Sequence, residues 1–194
     1  MKMIYLMRHG ETLFNVQKKN QGWCDAPLTE MGIKQAEVAR DYFKERNIVF
    51  DAAYCSTSER ASDTLEIVTE FKMPYTRVKG LKERNFGAFE GKDSFLNPKL
   101  PFGDYFKQFG GEGDMDVRLR MNETIKNIVD HEEGDTILLV SHGSACAQFS
   151  RVWDEYGVVK FQPGLTNCSI LKYEYDGDKF VMVDLVKHDF SHLK

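Results

Sequence analysis

Long apolar runs are missing from this chain. The opening MKMIYLMRHG is broken by Arg8 before it reaches the length of a membrane span or a signal-peptide core, so a buried first strand is expected and no membrane partner. Cysteine is scarce as well. Cys24, Cys55, Cys146 and Cys168 occur without a CxxC pair, which argues against a disulfide framework or a zinc site and for core thiols in a reducing, cytoplasmic setting. Positive charge is not in surplus: 26 Lys and Arg against 30 Asp and Glu give −4, so no overall basic field draws nucleic acid. An anionic ligand would have to be held by a few local cations. There is no HExxH helix, no aspartate cluster and no GxSxG elbow. A metal shared by His9, Glu11 and His142, or a nucleophilic Ser141, is therefore poorly supported, and neither metal nor cofactor is expected. GAFEGKD has too few residues between its glycines for a phosphate loop.

What is present is an alternation of strand and helix signals in 194 residues, the length of one domain. Short apolar runs predict strands at Met3–Met7, Ile48–Tyr54, Tyr75–Lys79 and Thr136–Val140, and a terminal pair at Ser169–Tyr175 and Phe180–Val186 joined by the turn residues Asp176 and Gly177. Helical spacing predicts Thr29–Arg46, with Ile33, Ala36, Val38, Ala39, Tyr42 and Phe43 as its apolar positions. It also predicts Ser58–Phe71, buried through Ala61, Leu65 and Val68, then Met115–His131, buried through Val117, Leu119, Ile125 and Ile128, and Ala145–Trp153. The fold class expected is α/β: a three-layer α/β/α sandwich whose mainly parallel sheet has an antiparallel edge. No linker divides the domain, 1–194. The segment 92–113, with two prolines and several aromatics, reads as a lid-like insertion or as a small satellite cluster. A homodimer is left open.

Ligands of an open α/β sheet bind beyond the carboxyl ends of the strands, and those places here carry chemistry. The first strand ends in Arg8, His9, Gly10 and Glu11. The second leads to the Cys55–Arg60 turn, the third to Glu83, and the Thr136 strand to Ser141, His142 and Gly143. A neutral imidazole can attack phosphorus, and either His9 or His142 could do so. Arg8 and Arg60 offer paired donors to phosphoryl oxygens, the other histidine a further donor, and Glu83 a proton for the departing alkoxide. His131, His188 and His192 read as surface residues, and Glu11 as a loop carboxylate.

The ordered motifs LMRHGET with Asn15, QGW followed by PLTEMG, CSTSERASDT, ERNFGAFEG and VSHGS resemble the histidine phosphatase superfamily, the phosphoglycerate mutase-like family. The resemblance spans Leu6 to Ser144. It implies a phosphoglycerate mutase-like fold in which His9 is phosphorylated, Arg8, Arg60 and His142 surround the phosphate, Glu83 donates a proton, and Asn15 and Gln21 touch phosphate or substrate. Mutases of the family are typically longer and carry adjacent arginines and a tyrosine near the acid. This chain has no RR dipeptide, and Phe86 stands in that tyrosine's place. The expectation is a metal-independent phosphomonoester hydrolase acting through phosphohistidine. The alternatives are a cofactor-dependent phosphoglycerate mutase and a non-catalytic phosphate-binding sensor.

Overall fold

A computed structural model describes residues 1–193 of the protein. Among the described residues, six strands form one sheet: β1 (Lys2–Arg8), β2 (Ala52–Cys55), β3 (Thr76–Arg77), β4 (Thr136–Ser141), β5 (Ile170–Tyr175) and β6 (Phe180–Val186). Their order is β3-β2-β4-β1-β5-β6, with β1, β2, β3 and β4 parallel, β5 antiparallel to β1 and β6 antiparallel to β5. The helices are α1 (Leu13–Val16), α2 (Glu30–Glu45), α3 (Glu59–Val68), α4 (Asp114–His131) and α5 (Gly143–Trp153).

The central strand β1 shows how the layers arise. Ile4 and Leu6 face a core shared with Val117, Met121 and Ile125 of α4 and Phe149 of α5. Tyr5 and Met7, alternating with them, face Ala36, Ala39 and Phe43 of α2 and Ala61 and Leu65 of α3. A strand apolar on both sides must be covered on both sides, which produces the three-layer α/β/α sandwich.

Several expected boundaries move, for local reasons. Asn47 takes a left-handed turn (φ 52°), and Ile48 N–H donates back to Phe43 O at 3.0 Å, closing α2. Val49 is then left 77% exposed, and β2 begins only at Ala52, where Ile137 lies alongside. Likewise α3 stops at Val68 because Glu70 and Phe71 adopt positive φ, so Phe71 is exposed. The third strand is reduced to Thr76–Arg77, since Lys79 opens a 3-10 turn. Leu119 and Ile33 lie on exposed helix faces instead of the core, and Cys24 is only half-buried. His188 is not a free surface residue: burial lowers its pKa, and its ring packs 5.4 Å from that of Tyr42.

The segment 92–113 contains two 3-10 turns, Ser94–Leu96 and Tyr105–Phe109. Phe106 is fully buried there, with ring centroids 4.9 Å from Phe86, 5.2 Å from Phe102 and 5.6 Å from Phe89. Such an edge-to-face cluster gives a long loop its own small core.

Candidate active site

Sheet register brings the two histidines together. Arg8 pairs with Ser141 across β1 and β4, and His9 N–H donates to Ser141 O at 3.1 Å. His9 and His142 therefore leave neighbouring strands at one level, with ring centroids 5.2 Å apart. Strand β2, on the other side of β4, ends beside them. Ser56 N–H donates to Val140 O, and Ser56 Oγ lies 2.7 Å from His142 Nε2. Gly10 permits this packing, because a Cβ there would meet Gly32 O of α2 at 2.5 Å.

His9 Nδ1 lies 2.7 Å from Gly10 O, and a carbonyl can only accept, so Nδ1 carries the proton of the neutral ring. Nε2 then bears the lone pair, toward which Arg60 Nε–H points at 3.3 Å. Burial first, then the charges of Arg60 and Arg8, hold the His9 pKa well below the usual 6.5, opposed by the hydrogen bond to Gly10. Burial and then Arg60, His9 and Arg8 depress His142 in the same way. Both rings are thus kept neutral near neutral pH.

Arg60 is fully buried, and all five of its donors are oriented. Its terminal nitrogens reach Cys24 O, Asp25 Oδ1 (2.7 Å), Gln21 O and Gly22 O, and its Nε faces His9. Two further polar atoms, Arg8 Nε and His142 Nδ1, are buried without a hydrogen-bond partner. Arg8 is otherwise anchored by donation to Leu165 O.

Glu83 is held by the start of α5. Its Oε1 accepts from Arg84 N–H at 2.7 Å and Ala145 N–H at 2.9 Å, and its Oε2 accepts from Ser144 N–H at 2.9 Å. Both in-plane sites of Oε1 are occupied, leaving Oε2 as the oxygen with room for a proton. Asn15 Oδ1 accepts from Thr12 N–H and from Asn167, which also donates to His9 O. Gln21 is engaged within its own loop, accepting from Thr12 Oγ at 2.6 Å and donating to Ala26 O.

These residues border a cavity of about 670 Å³. Arg8, His9, Asn15, Gln21 and Glu83 line it, while Arg60 and His142 stand directly behind its floor. Leu100, Pro101 and Phe102 form one wall and Phe161, Pro163 and Leu165 another. Sequence reasoning missed Arg84, which is buried, ion-paired to Asp114 and bonded to Glu112 O. It also missed Glu90, whose carboxylate accepts from the N–H groups of Gly22, Trp23, Cys24 and Phe86 and so ties the QGW loop to the loop after Glu83. Both lie inside ERNFGAFEG, the only signal that could have pointed to them. A neutral imidazole with an unprotonated ring nitrogen, arginines beside it and a carboxyl group at one cavity form a set suited to phosphoryl transfer.

Residues 4–188 match the sequence model of the histidine phosphatase superfamily, branch 1. Over 94 residues, 46% of this chain, the sequence is 43% identical to the 2,3-bisphosphoglycerate-dependent phosphoglycerate mutase of Buchnera aphidicola subsp. Cinara cedri (strain Cc), a match spanning 41% of that relative's length. Among solved structures, Bacillus stearothermophilus YhfR is 32% identical, covers 100% of both chains and superposes with a TM-score of 0.82. A phosphoserine phosphatase variant from Entamoeba histolytica, crystallised with phosphoserine, is 26% identical at a TM-score of 0.78, covering 95% of this chain and 96% of its own.

Proposed function

Because the chain belongs to the histidine phosphatase superfamily, we propose that it is a metal-independent phosphomonoester hydrolase in which His9 Nε2 takes the phosphoryl group and water releases it. The tautomer carries the proposal: with Nδ1–H fixed on Gly10 O, the lone pair lies on the nitrogen facing Arg60 and the cavity. Attack forms the N–P bond as the ester P–O bond breaks, and Glu83 Oε2 gives its proton to the departing oxygen. Arg8 Nε, and Arg60 Nε once its N–H passes from His9 Nε2 to the incoming phosphoryl group, surround the transferring oxygens with His142 Nδ1–H when Ser56 donates to Nε2. Water then attacks from the leaving-group side: its oxygen bonds to phosphorus as the N–P bond breaks, Glu83 takes its proton, and phosphate departs from a restored His9. Asn15 contacts substrate from the rim, and Gln21 holds its loop.

Hydrolysis in preference to mutase chemistry is supported by the wall above Glu83. Phe86, packed on Phe106, lines the cavity where a hydroxyl would help retain a small phosphoacid. The adjacent Arg84 has its terminal nitrogens on Asp114 and Glu112 O, which leaves only its buried Nε without a partner. A mutase must keep its organic product bound for rephosphorylation, and this wall offers little to a three-carbon acid. The segment 92–113 acts as a lid through Leu100, Pro101 and Phe102.

The test is phosphate release from aryl, sugar and glycerate phosphates in the presence of chelator, alongside an assay for interconversion of 2- and 3-phosphoglycerate. Hydrolysis that persists in chelator is expected. Efficient interconversion with negligible hydrolysis would replace this reading with the mutase, and binding without turnover would replace it with the phosphate sensor.

A further inference from the structure

The cavity continues past the reacting residues along α5. Ser144, Ala147, Gln148 and Arg151 share the helix face that lines it, as their spacing requires. The N–H groups of Ser144 and Ala145 mark the near end, where Glu83 is bound. At the helical rise, Gln148 lies about 5 Å and Arg151 about 10 Å farther along the axis.

Gln148 is 3% exposed, so its amide can be followed atom by atom. Its Oε1 accepts from Arg118 Nε at 3.2 Å and from a terminal Arg118 nitrogen at 3.0 Å. Because arginine only donates, this fork fixes which end of the amide is oxygen. The Nε2 protons have no acceptor among the described residues, and Gln148 lines the cavity. One turn on, Arg151 is exposed, lies over Phe161 at 5.7 Å and has no ion pair among the described residues. Two of the charges acting on it, Arg118 and Arg84, share its sign, and Asp114, which opposes them, is paired with Arg84.

The far end of the cavity therefore presents donors without acceptors, while the phosphate end has Arg8 and Arg60 of its own. We propose that Gln148 Nε2 and Arg151 form a second oxyanion subsite. The substrate is then a phosphomonoester bearing a carboxylate or second phosphate at the far end of an apolar body flanked by Phe86, Phe102 and Phe161. A three-carbon phosphoacid, with four bonds of about 1.5 Å from ester oxygen to carboxylate oxygen, spans about 5 Å, half the axial rise from Ser144 to Arg151. This inference rests on the reading that the phosphoryl group is transferred at His9.

The experiment compares kcat/KM for ω-carboxyalkyl phosphates of increasing length, each against its methyl ester, with alkane bisphosphates as a parallel series to tell phosphate from carboxylate. The acid-to-ester ratio is expected near one for the shortest chains and about tenfold where the acid reaches Arg151, at roughly six to nine carbons. R151Q should bring that ratio back toward one, and Q148E should push it below one by placing a carboxylate in the subsite. A wild-type ratio near one at every length in both series, or a tenfold ratio undiminished in R151Q, would overturn the subsite. Release of phosphate from 4-nitrophenyl phosphate, which has no distal anion, reports on His9 separately. Failure there together with failure of both series overturns both readings, whereas success there with flat ratios removes only the subsite.

Discussion

The floor of the cavity stands on β1, β2 and β4, three adjacent parallel strands, and three of its polar groups are fixed chiefly by backbone: His9 on Gly10 O, Arg60 on three carbonyls, Glu83 on three N–H groups. The roof is different. Leu100 to Phe102 and Phe161 to Leu165 lie in segments with no strand or α-helix, held by the Phe102–Phe106 ring contact, by Arg151 over Phe161 and by single hydrogen bonds from Phe161 N–H to Asp154 and from Arg8 to Leu165 O. The contrast teaches where precision is invested: bond making is assigned to groups that cannot shift, and recognition to segments that vary at small cost to the fold.

That contrast can be broken at the floor first. His9→Ala should lower kcat by at least about 10³-fold on every substrate, while circular dichroism and thermal melting show an intact fold. Loss of folding would make His9 structural and remove the distinction. Glu83→Gln should slow alkyl phosphates about 10²-fold or more but aryl phosphates, whose phenolate leaves with less protonic help, by about tenfold at most. Equal losses on both would take Glu83 out of the acid role.

The floor should also reveal itself in stability. His9 and His142 have pKa values depressed in the folded chain, so as pH falls below the usual 6.5 the unfolded chain takes up protons first and folding weakens. Urea denaturation should show stability declining from pH 6.5 toward the depressed folded values, with a shallower decline in His9→Ala by about one proton. An unchanged slope in that variant would mean that His9 is not held neutral. The smallest effect belongs to the roof. Phe102→Ala should raise KM for aryl phosphates by about three- to tenfold with kcat nearly unchanged. A fall in kcat equal to that in kcat/KM would place Phe102 with the floor.

The floor was far more legible than the roof. RHG and SHG each follow a short apolar run, and the strand-end rule suffices to gather Arg8, His9, Glu83 and His142 from the sequence. Arg60 was legible as a residue after β2, but its five-fold anchoring was not, because Asp25 and the carbonyls of Gln21, Gly22 and Cys24 come from a different loop. Glu90 and Arg84 were hidden for the same reason: their partners are distant in sequence. Gln148 and Arg151 carry no motif, and only the fork from Arg118 in the fold sets the amide apart. Ile48–Tyr54 misled in the opposite way, since its apolar, β-branched run mimics a strand while Asn47 and an exposed Val49 keep its first half out of the sheet.

The central claim is that a phosphoryl group resides on His9. Rapid mixing with 4-nitrophenyl phosphate, an alkaline quench and peptide mass spectrometry should find one acid-labile, alkali-stable phosphoryl group on the peptide carrying His9, formed and lost at rates compatible with turnover. Turnover with the phosphoryl group on another residue, or with none trapped at His9 even when hydrolysis of the intermediate is slowed, would contradict it.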